Sequence, residues 1–401
     1  MNRDKTIKKP ELLAPAGNLD KLKIALTYGA DAVYIGGEEF SLRVAADNFS
    51  ADDIIEGVKF AHERGKKVYL TANVIPHNSD INEYSEFLSS VKDSGIDAVI
   101  LSDLGMFALT KEIAPDLDIH VSTQANNVNW KSAETWYNMG AKRVILAREM
   151  SLDEIREIRE RTPKELELEA FVHGAMCISY SGRCLLSNYM AGRDSNRGEC
   201  AHPCRWKYFL MEEQRPGEYM PVYENERGTF IYNSKDLCML QHVDKLIESG
   251  LSSFKIEGRV KSEFYVATIV KAYRKAIDDY FNSDENYVFD TKLLDEVKKV
   301  SHRDYTTGFY LGKPGGSEQH YESSSYIRNY DMAEVIQKNR FFKGNTVEFL
   351  RPFGDFHAQV IEYMTDGEGN EIEVANHPQS VVYIKSEIEL EPDTLIRMER
   401  K

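Results

Sequence analysis

Gly29–Ile35 reads GADAVYI, Gly95–Leu101 reads GIDAVIL and Gly140–Leu146 reads GAKRVIL. The three stretches share one grammar: a glycine, one or two polar residues, then a short apolar run. A glycine just past a helix closes its last turn in the left-handed conformation. A short, nearly continuous apolar run is the mark of a strand buried on both faces. Each stretch therefore reads as the end of a helix feeding directly into a parallel strand.

Working outward, the same apolar run recurs at Glu11–Gly17, Ala32–Gly37, Lys67–Asn73, Ala98–Asp103, Asp118–Gln124, Arg143–Glu149, Glu167–Gly174 and Ser253–Arg259. The segments between them carry helix starts at Asn18, Ser50 and Ser79, and Ser151–Glu154 reads as a capping box. Eight strand–helix units in about 260 residues predict an α/β fold, a (β/α)8 TIM-like barrel. The competing doubly wound sheet would carry a glycine-rich phosphate loop after its first strand, and none is present.

The barrel is expected over residues 1–260, with an insertion at 175–238 after strand seven. Residues 261–324 read as a helical extension, with helical stretches at Lys261–Phe281 and Thr291–His302, and a glycine-containing linker. From 325 to 401 the texture becomes short alternating strands and turns such as Asp366–Asn370, which predicts a small C-terminal antiparallel β-barrel.

The insertion is where the chemistry concentrates. Cys177, Cys184, Cys200 and Cys204 fall within 28 positions, and the fifth cysteine, Cys238, follows further on. Loops after barrel strands lie on the catalytic face, so this insertion is predicted to cover the barrel mouth. The intervals are C-x6-C, C-x15-C and C-x3-C. Only the last resembles a zinc knuckle. An iron–sulfur cluster accepts thiolates from such irregular spacings. A cysteine peptidase would need a histidine base; His173 lies four residues before Cys177, and His202 lies between Cys200 and Cys204. Buried free cysteines are the remaining reading.

Charge narrows the partners. Fifty Lys and Arg against 65 Asp and Glu leave a net charge of −15, which opposes broad non-specific binding to DNA or other nucleic acid. Residues 177–210 run against this trend, with five basic and two acidic side chains, and read as a solvated loop or an RNA-contacting patch. The N-terminus has no apolar signal region, and no apolar run is long enough to span a membrane. A cytoplasmic location is expected, where disulfides are rare and clustered cysteines point to metal or catalysis.

Polar residues at the carboxyl ends of barrel strands are the candidate site. These are Asn73, Asp103, Gln124, Arg148, Glu149, His173, Glu257 and Arg259. Glu149 with Arg148, and Glu257 with Arg259, can equally neutralise one another, and Glu11 at the start of strand one can be a structural acid.

Glu169–Cys177 (EAFVHGAMC) and Gly182–Ser187 (GRCLLS), with ELLAPAGN at 11–18 and DAVYIGG at 31–37, resemble the signature of peptidase family U32. The resemblance covers about residues 10–320, and the C-terminal module is similar to the extra domain of the family's tRNA-hydroxylation branch. It implies prephenate-dependent hydroxylation of the wobble uridine of tRNA to 5-hydroxyuridine; other branches hydroxylate ubiquinone or ribosomal RNA. Some members were described as collagenases, so a peptidase is the alternative. The resemblance further implies a 4Fe-4S cluster, with zinc as the alternative metal. The pattern of the ubiquinone branch carries over to Cys177, Cys184, Cys200 and Cys238, whereas another branch uses the 200/204 pair. Asn73, Gln124, Glu149, His173 and Glu257 are then the catalytic candidates. Arg148 and Arg259 would hold prephenate, Tyr180 and Trp206 would stack on the flipped base, and a paralogous partner subunit is implied because relatives act as heterodimers.

Overall fold

The computed structural model describes residues 7–37, 40–41, 48–177, 179–205, 235–283, 287–312, 330–333, 340–354, 356–376, 380–388 and 390–399. Trp206 lies outside the described residues.

All eight apolar runs become strands. They are β1 (Glu11–Pro15), β2 (Ala32–Gly36), β3 (Lys67–Ala72), β4 (Ala98–Leu101), β5 (Asp118–Val121), β6 (Arg143–Ile145), β7 (Glu167–Ala175) and, after a short β8 (Asp236–Cys238), β9 (Ser253–Ile256). β1 to β7 pair in sequence, all parallel. β9 pairs in parallel with both β7 and β1, which closes the cylinder. Complete closure removes the sheet edges that would otherwise need covering.

The helices are α1 (Leu19–Thr27), α2 (Ala51–His62), α3 (Asp80–Val91), α4 (Leu104–Ile113), α5 (Trp130–Asn138), α6 (Leu152–Arg161), α7 (Leu186–Ala191), α8 (Val243–Glu248), α9 (Glu263–Asn282) and α10 (Lys292–Val297). Ser50 and Ser151 each form a reciprocal capping box, with Asp53 and Glu154. Asn18 and Asp103 cap α1 and α4 through their side chains, so Asp103 serves a helix end. Gly29, Gly95 and Gly140 take φ of 109°, 86° and 103°. That conformation is strained for any residue with a side chain, and it explains why the recurring motif begins with glycine.

α9 buries Val266, Ile269, Val270, Tyr273 and Ile277 completely and packs on β1 between α1 and α8. Full burial of such side chains contributes roughly 1.5–3 kcal/mol each. α9 thus completes the ring of helices, and the barrel unit extends to about residue 282 rather than stopping at the end of β9.

Beyond β10 (Tyr305–Thr306), which pairs with β8, the C-terminal strands are β11 (Tyr330–Ala333), β12 (Phe341–Phe342), β13 (Thr346–Leu350), β14 (His357–Val360), β15 (Met364–Asp366), β16 (Val374–Ala375), β17 (Val382–Ile384) and β18 (Leu395–Glu399). They pair antiparallel throughout, as one four-stranded and two two-stranded sheets. Phe341, Val347, Phe349, Ile361, Met364 and Ile396 form their own core. The module docks on the barrel's helices: the Tyr28 hydroxyl donates to the carbonyls of Leu350 (2.7 Å) and Asp393 (2.9 Å), and buried Arg397 pairs with Glu296 of α10. No described helix is long and apolar enough to cross a membrane.

Candidate functional site

The barrel interior is unusually polar at its floor. Arg143, the first residue of β6, contacts Glu11 (2.6 Å), Glu167 (2.6 Å) and Glu169 (2.8 Å). Tyr69 donates to Glu11 (2.6 Å), as does Ser253 (3.0 Å). Glu11 is therefore a structural acid. Burial drives the Glu169 carboxyl up, but Lys255 and Arg143 outweigh it and hold the group ionised. Lys255 stands 3.2 Å from Glu169.

Above this floor lies a cavity of about 70 Å³ at the C-terminal ends of the strands. Asn73, Gln124, Arg148, Glu257 and Arg259 line it, together with Tyr34, Thr71, Ser122, Thr123, Phe171 and Lys255. The Arg259 guanidinium donates to Asn48 (2.7 Å), Thr71 (3.2 Å) and Ser41. A Cβ on Gly36 would run into that guanidinium, and one on Gly17 into the Arg259 carbonyl. The glycines of the APAG and YIGG stretches thus make the room in which Arg259 sits. Asn73 Oδ1 and Gln124 Oε1 are buried without a hydrogen-bond partner among the described residues. A buried carbonyl in that condition costs about 1–3 kcal/mol unless something bonds to it.

A second cavity of about 120 Å³ lies beside the first and shares Thr123, Gln124 and Arg148 with it. Cys177, Cys184, Cys200 and Cys204 all line this second cavity, with Glu149, Tyr180 and His202. The cysteine insertion therefore covers the barrel's C-terminal face beside the mouth. It is pinned at several points. The Glu149 carboxylate accepts from the Ser181 backbone (3.0 Å), and Arg148 donates to the Ala175 carbonyl (2.5 Å). Gly182 passes so close to the Gln124 carbonyl that a side chain would collide. Asn196 and Ser195 both donate to the Cys184 carbonyl, Ile75 donates to Asn196 (3.0 Å), and Arg197 forks onto Asp80 (2.5 and 3.0 Å). The fork keeps the buried Asp80 ionised well below the usual carboxylate range.

All five cysteines are free thiols. The Cys177 thiol donates to Cys184, which pulls Cys184 down to about 4 and pushes Cys177 up. Cys238 is not with them. β8 runs antiparallel to β7 and sets Cys238 opposite His173, in the barrel wall near Tyr273, where burial raises its thiol to about 12. The structure thus groups Cys204, rather than Cys238, with the other three. Among the described residues, no three His, Cys, Asp or Glu side chains are grouped tightly enough to hold a single metal ion.

His173 lines neither cavity. Strand alternation from Glu167 through Glu169 and Phe171 would aim it inward, but the β7–β9 register shifts between Phe171 and His173. Such an irregularity reverses which face the later residues occupy. His173 instead packs among Tyr265, Tyr273 and Tyr305, and burial, with His302 and Lys261 nearby, lowers it to about 3. The His173–Cys177 pair of a cysteine peptidase is not assembled. Tyr180, at 60% exposure, stands on the rim of the cysteine cavity.

Lys255, Tyr34 and Phe171 were not singled out from sequence. The signal for Lys255 was its place in SFKIEG, a charged residue two before Glu257 on the same strand face.

Relatives match this chain in sequence, two of them along nearly its whole length. The tRNA hydroxylation protein P1 of Bacillus subtilis is 43% identical over 97% of this chain and 95% of its own length. The tRNA hydroxylation protein P of Escherichia coli is 40% identical over 92% of this chain and 91% of its own. A 23S rRNA 5-hydroxycytidine synthase of Escherichia coli is 38% identical over 67% of this chain and 39% of its own. The model for peptidase family U32 matches residues 17–321 and that for the family's C-terminal domain matches 321–397, so the chain belongs to peptidase family U32.

Proposed function

We propose that this protein is a tRNA-modifying enzyme that hydroxylates the wobble uridine to 5-hydroxyuridine, with prephenate as co-substrate and a four-iron cluster at the cysteine cavity. The observation that carries the reading is a shared wall. Four thiols surround one cavity, and Thr123, Gln124 and Arg148 separate it from a mouth lined by Lys255, Arg148 and Arg259. An electron-transfer group and a site for an anionic organic molecule would then be neighbours. Two relatives named for tRNA hydroxylation and one named for 5-hydroxycytidine in ribosomal RNA support RNA hydroxylation.

The donor set fits a cluster. A single zinc ion needs its thiolates within about 2.3 Å of one point, whereas the four thiols here are spread around a cavity. Cys177, Cys184, Cys200 and Cys204 would hold the cluster, which supplies single electrons when bound. The rest falls to other side chains. Arg148 and Arg259 grip carboxylates through paired N–H groups. Asn73 and Gln124 offer acceptor oxygens to a hydroxyl or base N–H. Glu257 at the mouth is placed to move a proton, and Tyr180 offers a ring on which an extruded base can stack. The exposed Arg183 and Arg193 supply positive charge for tRNA on an otherwise acidic body, and a paralogous partner subunit in the cytoplasm would extend that surface.

Deleting the gene is expected to abolish 5-hydroxyuridine derivatives in tRNA, measured by nucleoside mass spectrometry, with recovery on adding the gene back. Unchanged nucleosides would sink the reading. Anaerobic reconstitution then decides the ligands: Cys204→Ser is expected to lose iron and visible absorbance, and Cys238→Ser to keep both.

A further inference from the structure

We propose that Lys255 acts covalently: its amine condenses with the keto carbonyl of a 2-oxo acid bound in the barrel mouth. The inference rests on the mouth being a carboxylate site and is independent of RNA as the acceptor.

The placement comes from β9. Ser253, Lys255 and Glu257 occupy successive positions on one strand face. Ser253 bonds to Glu11 on the floor, Glu257 lines the mouth, and Lys255 lies between them. Its buried ammonium group lies 4.4 Å from the Tyr34 ring centre and 5.4 Å from that of Phe171, between the two rings and the mouth. Its carboxylate neighbour Glu169, at 3.2 Å, meets Arg143 at 2.8 Å through its other oxygen. Arg143 beneath and Arg148 at the mouth are both cations that disfavour a third. Burial, opposed by Glu169, lowers the lysine's proton affinity. Such surroundings turn a lysine into a nucleophile. In a 2-oxo acid the keto carbon adjoins the carboxylate, so an acid gripped by Arg148 or Arg259 presents its carbonyl towards the depth of the cavity, where Lys255 stands.

The step balances without an oxidant or reductant. The ammonium gives a proton to Glu169, and the freed lone pair forms a C–N bond to the keto carbon. One of the two protons left on nitrogen moves to the oxygen, giving a carbinolamine. Glu169 then returns its proton, the C–O bond breaks, and water leaves an iminium ion. That ion draws electrons from the adjoining carbon and so activates the bound acid.

The test uses the full-length protein with pyruvate as probe and cyanoborohydride as trap. The expected result is a mass gain equal to the acid less one oxygen, mapped to Lys255 by peptide analysis. Lactate, which has no carbonyl, should give none. Lys255→Arg, which keeps the charge, should bind lactate in calorimetry yet form no adduct. If pyruvate binds but the wild-type Lys255 peptide stays unmodified, the covalent role is overturned while the carboxylate site stands. If neither acid binds, both fall. The wild-type mapping decides the matter even where the variant does not fold.

Discussion

The floor and the mouth of this barrel are both charged, both buried and less than a strand's length apart, yet they are built on opposite terms. On the floor, each of Glu11, Glu167 and Glu169 meets Arg143. At the mouth, Asn73 and Gln124 hold buried oxygens with no partner among the described residues, beside Arg148 and Lys255. Buried charge is tolerated when paired; a buried polar atom without a protein partner costs stability that a bound water or ligand returns. The difference separates charges that hold the cylinder together from groups kept for something else to bind.

The sharpest way to break this contrast is Arg143→Met. It leaves three carboxylates inside the floor without their shared cation and is expected to cost about 3–5 kcal/mol, read by denaturant unfolding. A loss below about 1 kcal/mol would mean that the floor is not structural. A smaller effect concerns the histidine that the mouth leaves out. His173 is held near 3 when folded, against about 6.5 when unfolded, so the unfolded chain binds its proton first. Its contribution is complete above about pH 6.5 and drains away as pH falls towards 3. His173→Phe is expected to flatten that acid slope by a few kcal/mol at most, and an unchanged slope would show that His173 is not buried neutral. The smallest effect on stability is expected at the mouth itself. Gln124→Leu removes an unpartnered carbonyl and should raise stability by about 1 kcal/mol, the low end of that group's burial cost. The proposed tRNA-modifying activity should nevertheless fall at least about tenfold, as removal of a ligand contact would do. A strongly destabilised variant would place Gln124 with the floor.

Much of the scaffold was legible because it rests on local rules. Eight apolar runs gave eight strands, and Ser50 and Ser151 capped the helices that their neighbours announced. The mouth was partly legible for the same reason: strand ends point at it, so Asn73, Gln124, Arg148, Glu257 and Arg259 could be named from position alone. His173 was misplaced because a register shift leaves no mark in the residues themselves. Lys255 was passed over because its neighbours are apolar and its position is one step inside the strand.

What the sequence determined by itself was the barrel, the density of cysteines after its seventh strand and the family to which both belong. The first two follow from periodicity and spacing, and the family from the resemblance of its motifs; all three are properties of the chain. Only the tertiary structure decided which thiols share a cavity. Cys238 is carried into the wall by an antiparallel β8, and Cys204 is brought round to Cys177 by a loop pinned through Glu149, Asp80 and Arg197. Distance along the chain says nothing of such a choice, because pairings between remote strands and loops set it.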